Sequence, residues 1–334
     1  MNKKRMASLI ALTVMLILIL GNIAMAHAQS SQDSTGTINV VAECSLSTPQ
    51  LLSEAEADVN GTALTVNTKY HANVTVGDTD GMDDIVNGTV RAWLTSATGE
   101  NDSDSENNHY TFFYNATSGQ VSSSPVGFLT SGDCVVSNSS SVTQFEFKFK
   151  WDYSKVANYS NVANNGWQIS FLFYDSEGNS AHLSLTSSLQ HGIAEYTECT
   201  GLSTTHSWSG LSAGSNDNPL SSPGTSLSFT AIANRMWNAT AKSNVTAALE
   251  HTYSYTLGIG NVTQNSVNNA TSSTSLSTSE VIIGKDGASP LDAKEIPASE
   301  SGTACNCYLW VDIPSGQEPG AYVYKLTITV QKDS

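Results

Sequence analysis

Apolar and polar side chains alternate with a period of two wherever a pattern is clear. Phe145, Phe147, Phe149 and Trp151 fall on one side, with Glu146, Lys148 and Lys150 on the other. That is the signature of a strand buried on one face. Trp167, Ile169, Phe171 and Phe173 repeat it ahead of the turn-forming run Asp175-Ser176-Glu177-Gly178-Asn179. Near the end, Tyr322, Tyr324, Leu326, Ile328 and Val330 alternate with Val323, Lys325, Thr327 and Thr329. These patterns predict half-buried strands of antiparallel sheets. Helical periodicity is nearly absent, and residues 50–57 and 244–250 are the two candidates for a turn or two of helix. The expected class is all-β.

A faint repeat divides the chain. The run from Ile38 to Thr48, containing Cys44, resembles the run from Ile193 to Thr204, containing Cys199, and each is expected to be a first strand. The division falls near Leu189 and gives two tandem antiparallel β-sandwich domains, 29–189 and 190–334, each long enough to bury a core. Residues 214–226 mix Gly, Ser, Asn and Pro, and residues 261–279 are nearly all Asn, Ser and Thr; both are expected to be solvent-facing loops.

Residues 310–322 contain Pro314, Gly316, Pro319 and Gly320, a composition that turns a chain and would pair 308–313 with 321–330. The segment resembles the closing hairpin of many bacterial and archaeal extracellular immunoglobulin-like domains. Residues 74–85 are similar to a strand-and-loop pattern common in archaeal surface proteins. The layout resembles archaeal secreted cell-surface proteins built from tandem immunoglobulin-like units, among them the sheath and surface-layer proteins of methanogens. That resemblance implies architecture and carries over no functional residues.

The first 28 residues change the picture of location. Lys3, Lys4 and Arg5 precede an apolar run over 7–20, and Ala26-His27-Ala28 offers the small residues that signal peptidase accepts. Residues 1–28 are therefore expected to be a signal peptide, leaving Gln29 at the new N-terminus of an extracellular chain. No later apolar run is long enough to span a membrane.

The chain has 30 acidic and 14 basic residues, and loss of the three cations at the start takes the formal charge from −16 to −19. Such a charge argues against nucleic acid and anionic lipid as partners and suits dissolved cations. Yet only 13% of residues are charged, so polarity rests on Ser, Thr, Asn and Gly. Eleven asparagines stand in glycosylation sequons: Asn60, Asn73, Asn87, Asn101, Asn115, Asn138, Asn158, Asn238, Asn244, Asn261 and Asn269.

Candidate chemistry is sparse. Asp78, Asp80, Asp83 and Asp84 gather around Gly81. Two readings stand, an Asx-type turn or a Ca²⁺ loop, because hard cations take several oxygen ligands while Asp and Gly also form turns. No cofactor is required. Gly210-Leu211-Ser212-Ala213-Gly214 matches an esterase motif formally, but lacks the strand before and helix after that a nucleophile elbow needs. His71, His109, His182, His191, His206 and His251 show no zinc spacing.

All five cysteines, Cys44, Cys134, Cys199, Cys305 and Cys307, lie beyond the signal, where disulfides persist. The domain division suggests Cys44 with Cys134, and Cys199 with Cys305 or Cys307, leaving one thiol for a bond to another molecule. A buried unpaired thiol and metal binding by the Cys-x-Cys pair are the other readings. The expected function is structural: an exported envelope protein that assembles with its own copies, and with other envelope proteins or glycans, into a sheath, surface layer or filament. An adhesin or carbohydrate-binding module, with Trp208 or Trp237 stacking on sugars, is the alternative; an extracellular hydrolase ranks third.

Overall fold

The computed structural model describes residues 44–116, 118–128, 132–141, 143–161, 166–184, 190–250, 254–283 and 291–333. The signal segment, the Leu189 division point, His251 and the start of the first repeat lie outside them. The fold is all-β, with several antiparallel sheets and three short 3₁₀ turns as its helical elements among the described residues.

The first part contains β1 (Ser45–Ser53), β2 (Ala63–Leu64), β3 (Lys69–Gly77), β4 (Ile85–Leu94), β5 (His109–Asn115), β6 (Gln120–Ser124), β7 (Cys134–Ser141), β8 (Gln144–Asp152), β9 (Trp167–Asp175), β10 (Ser180–Ser184) and β11 (Gly192–Ile193). One sheet runs β1-β3-β8-β7 and the facing sheet β10-β9-β4-β5-β6, while β2 and β11 form a short parallel pair. The alternation in β8 is as the sequence predicts: Phe145, Phe147, Phe149 and Trp151 are buried and the residues between them half-buried. They meet the other sheet through aromatic contacts, Phe147 on Phe173 at 4.6 Å and Phe112 on Trp151 at 4.8 Å between ring centroids. Such pairs add about 0.5–1.5 kcal/mol each to the area they bury.

The two flanks of this sandwich differ. β1 packs against β10, which joins the two sheets along one side. β1 also carries Pro49 and a register shift between Ser47 and Gln50, devices that blunt an edge. The strand orders place β6 and β7 on the opposite flank, each last in its sheet.

The second part contains β12 (Thr197–Thr200), β13 (Asn218–Pro219), β14 (Ser226–Ala233), β15 (Trp237–Ser243), β16 (Ala247–Glu250), β17 (Thr256–Gly258), β18 (Val262–Asn265), β19 (Thr274–Ser275), β20 (Val281–Ile282), β21 (Thr303–Val311), β22 (Tyr322–Val323) and β23 (Leu326–Lys332). Its sheets run β12-β14-β21-β18-β19, with β13 also on β21, then β20-β15-β23 and β17-β16-β22. A separate core forms from Leu227, Phe229, Leu309, Val330 and a set of alanines around Trp237.

The described residues belong to one compact unit. Ile193 is buried in the first core, and the two cores are tied by polar contacts. Asn107 Nδ2 donates to Pro297 O at 3.1 Å, Tyr159 N to Asn234 O at 2.8 Å, and Lys155 pairs with Glu198 at 2.9 Å.

Several sequence expectations are corrected. Residues 50–57 are the end of β1 and a turn, and 247–250 are β16, so neither helix forms. The expected hairpin of 308–313 with 321–330 is absent: β21 pairs with β13, β14 and β18, whereas β23 pairs with β15. The turn-rich segment between them carries the chain from one sheet to another, so that Leu309 and Val330 both point into one core. The expected loop 261–279 contains β18, which lies inside a sheet with Gln264 and Asn265 buried. Gln264 Nε2 donates to Ile282 O at 2.8 Å, and Asn265 Nδ2 to Ser272 Oγ at 2.9 Å, so the amide nitrogens are paired within the protein, while Gln264 Oε1 is buried with no partner among the described residues.

Candidate functional site

Three candidate sites follow from the fold: a carboxylate cluster at one end of the first sandwich, the five thiols, and an aromatic cavity in the second part.

The acidic loop lies where the chain leaves β3 for β4 in the facing sheet, and it includes a 3₁₀ turn at Met82–Asp84 after Gly81, whose φ is +102°. The loop does not gather its four carboxylates. Asp80 and Asp83 are exposed, whereas Asp78 is 2% exposed and Asp84 half-buried. The third member of the cluster is Asp175, also 2% exposed, at the end of β9. One carboxylate oxygen from each of Asp78, Asp84 and Asp175 lies within 4.8 Å of the other two. The grouping expected from the sequence is corrected accordingly, because a loop that turns at Gly81 sends alternate side chains outward and the β9–β10 hairpin supplies the missing acid.

Each acid is held by neutral donors. Asp80 N donates to Asp78 Oδ1 at 2.9 Å, and Ser176 Oγ donates to Asp84 Oδ1. Asn179 donates through its backbone N to Asp175 Oδ1 at 2.7 Å and through Nδ2 to Oδ2 at 2.9 Å. Asp78 Oδ2 and Asp84 Oδ2 are buried with no hydrogen-bond partner. Burial first, and then the charges of Asp84, Asp80 and Asp175, raise the Asp78 carboxyl above its usual range against the lowering effect of the Asp80 amide.

The cysteine expectation is also corrected: all five are free thiols. Cys44, at the head of β1, and Cys134, at the head of β7, stand on opposite edges of one sheet with β3 and β8 between them. Three strand spacings amount to roughly 14 Å, about twice the reach of a disulfide. Cys199 on β12 is separated from Cys305 and Cys307 on β21 by the whole of β14. Cys305 and Cys307 share the inner face and are 3% and 0% exposed, so neither offers a thiol to another molecule. Burial pushes Cys305 up to about 11 and Cys134 and Cys307 up to about 12.

The sequons divide by burial. Asn87, Asn101, Asn115, Asn244 and Asn269 are exposed, and Asn60, Asn158 and Asn261 are half-buried. Asn87 and Asn115 stand opposite each other on β4 and β5. Asn73 and Asn238 are 3% and 6% exposed. Asn73 Nδ2 donates to Glu146 at 3.3 Å, so a glycan on either buried side chain would have to displace packed neighbours. The side chain of Asn138 lies outside the described residues.

In the second part, a cavity of about 770 Å³ opens beside Trp208, Tyr322, Tyr324, His206, Gln317 and Glu318. Trp208 is half-buried, and its ring stacks on Tyr324 at 6.4 Å and 27°. Its Nε1 donates to Asn218 O at 3.1 Å. His206 Nε2 meets Tyr324 Oη at 2.9 Å, and burial lowers its imidazole below the usual value. Gln317 Nε2 donates to Tyr322 Oη at 2.6 Å. Trp237, the other candidate for stacking on sugars, is fully buried, with Nε1 donating to Glu295 O at 3.0 Å.

The Gly210–Gly214 motif lies on the cavity rim in a loop with no strand before Ser212 and no helix after it, as its flanks predict. The histidines serve structural contacts. His109 Nδ1 meets Asp104 at 2.7 Å, His191 Nε2 meets Tyr153 Oη at 2.8 Å, and His182 Nε2 meets Glu100 Oε1 at 2.6 Å, which also accepts from Ser170 Oγ. In that last group the glutamate, not the imidazole, receives the hydroxyl, which is the reverse of what nucleophile activation needs.

No protein family matches the chain, and no curated protein is similar to it. Among solved structures, the chain is similar to the DNA-binding domain of Cep-1, the C. elegans ortholog of human p53. Identity is 10%, over 46% of this chain and 91% of that one, with a TM-score of 0.22. It is also similar to a DUF4466 family protein from Parabacteroides merdae, with 11% identity over 88% of this chain and 100% of that one and a TM-score of 0.24. At these scores the overlap identifies neither a shared family nor a shared activity.

Proposed function

We propose that the chain is an exported structural protein of the cell envelope whose copies associate edge to edge. The observation that carries this reading is the flank formed by β6 and β7. Edge strands expose unpaired N–H and C=O groups, and soluble proteins blunt them with charge, proline or a covering element. Neither β6 (QVSSS) nor β7 (CVVSNSSS) holds a charged residue or a proline. Val135 on β7 is 47% exposed, and Val126, just beyond β6, is 92% exposed. The opposite flank is closed by β1 and β10. An uncharged edge that no strand among the described residues pairs, beside a blunted one, suits strand addition from a second copy. With Cys44, Cys305 and Cys307 buried, the proposed association rests on strands.

Light scattering and electron microscopy of chain lacking residues 1–28, over a range of concentrations, test this. The unaltered protein should form concentration-dependent assemblies, and Val135→Lys should remain monomeric while keeping its β-sheet circular dichroism. Monomer at every concentration would sink the reading, as would assembly undiminished by the lysine.

A second reading is favoured by the aromatic cavity. Trp208, Tyr322 and Tyr324 supply faces for sugar rings, and Gln317 and Glu318 supply polar groups to orient them. Glycan-array binding by the monomer that is lost in Trp208→Ala would support a carbohydrate-binding module. An array without signal would remove it.

A further inference from the structure

A buried carboxylate ordinarily pairs with a cation or is lost to protonation. Asp78 and Asp175 are each 2% exposed, and neither they nor Asp84 forms an ion pair with lysine or arginine among the described residues. The surroundings do not quench these acids; they aim them. Asp80 N takes one oxygen of Asp78 and Ser176 Oγ one of Asp84, while two donors from Asn179 fix Asp175. What remains is Asp78 Oδ2 and Asp84 Oδ2, buried and unpartnered, in a group where one carboxylate oxygen from each of the three acids lies within 4.8 Å of the other two. Neutral donors that hold clustered carboxylates in place, and leave two of their buried oxygens unpartnered, are the outer shell expected of a metal site.

We propose that Asp78, Asp84 and Asp175 bind a calcium ion that clamps the two sheets of the first sandwich together. Hard oxygen donors select a hard cation, and Ca²⁺ holds its ligands at about 2.3–2.6 Å, so two of them can stand about 4.6–5.2 Å apart across the ion. Mg²⁺ holds oxygens at about 2.0–2.1 Å in a near-ideal octahedron and keeps several waters, which suits three protein carboxylates from separate segments less well. The three acids come from the end of β3 in one sheet, from the turn before β4, and from the end of β9 in the other sheet. A cation there links the end of β3 to the end of β9, which lie in different sheets. This inference stands whether or not the edges of the sandwich pair with other copies.

Calorimetric titration and thermal unfolding of the chelator-treated full chain with CaCl₂ and with MgCl₂ test the site. One Ca²⁺ should bind with a Kd on the order of 10⁻⁴–10⁻³ M, the range of extracellular modules, and raise the unfolding midpoint, with Mg²⁺ about tenfold weaker or more. Asp84→Asn keeps an acceptor for Ser176. It should fold with an unchanged or higher midpoint in chelator and lose about tenfold or more in Ca²⁺ affinity; Asp78→Asn gives a second reading of the same loss. No heat and no midpoint shift at about 10 mM Ca²⁺ with folded protein would overturn the site. A calcium response retained in both variants would overturn it equally, since the ion would then bind elsewhere.

Discussion

Phe173 occupies the space where a side chain at position 88 would stand. A Cβ on Gly88 would meet the ring's Cε1 at 2.5 Å and its Cζ at 2.9 Å. The two residues are partners across β4 and β9, and the same ring packs on Phe147 of the facing sheet, so it has nowhere to retreat. Gly88→Ala should therefore cost about 1–3 kcal/mol, the usual penalty of overpacking a core, while leaving the Asn87 sequon intact. Urea unfolding measures it, and an unchanged midpoint would mean that the ring moves aside.

His71 sits 1% exposed under a cover of charged side chains from the adjoining loop and β8. Burial lowers its imidazole below the usual value; the Lys148 and Lys150 charges add to this, and Glu56, 3.4 Å away, and Glu54 oppose it. A depressed folded value means that the unfolded chain takes the proton more readily. The contribution is whole above about pH 6.5, the unfolded value, and is lost as pH falls toward the folded one. The thermal midpoint should drop between about pH 7 and pH 5, and His71→Leu should flatten part of that drop. His206, lowered by burial as well, accounts for a remainder. Equal slopes in parent and variant would exclude His71 as a source.

The thiolate is the reactive form of cysteine. With Cys307 held at about 12 and Cys305 at about 11 inside the second core, neither should react with a disulfide reagent at pH 8 until the chain unfolds. Peptide mapping after labelling with and without denaturant distinguishes the two states. Rapid labelling of either in the folded protein would contradict their burial.

Legibility in the sequence followed how many partners a residue needs. The faces of β8 and β9 were readable because burial on one side imposes alternation directly on Phe145 through Trp151 and on Trp167 through Phe173. β18 was hidden, since Gln264 and Asn265 are buried by virtue of bonds to Ile282 and Ser272, and composition alone marks such residues as loop. The run from Tyr322 to Val330 alternates without a break, yet the chain leaves one sheet after Val323 and enters another at Leu326. Alternation reports which way a side chain faces and says nothing about which neighbour the backbone joins. Two members of the carboxylate cluster were visible as a local run. Asp175 was not, because only the pairing of β4 with β9 brings it beside Asp84.

The difference between the two flanks of the first sandwich would set a limit on growth by the proposed edge pairing. Under the proposed edge pairing, a flank that meets the same flank of another copy creates a two-fold axis and uses up both surfaces at once. Pairing of that kind would yield a closed dimer, not an endless ribbon. In any larger array that dimer would be the building block, and propagation would fall to a second, heterologous contact on the β12–β23 half of the chain.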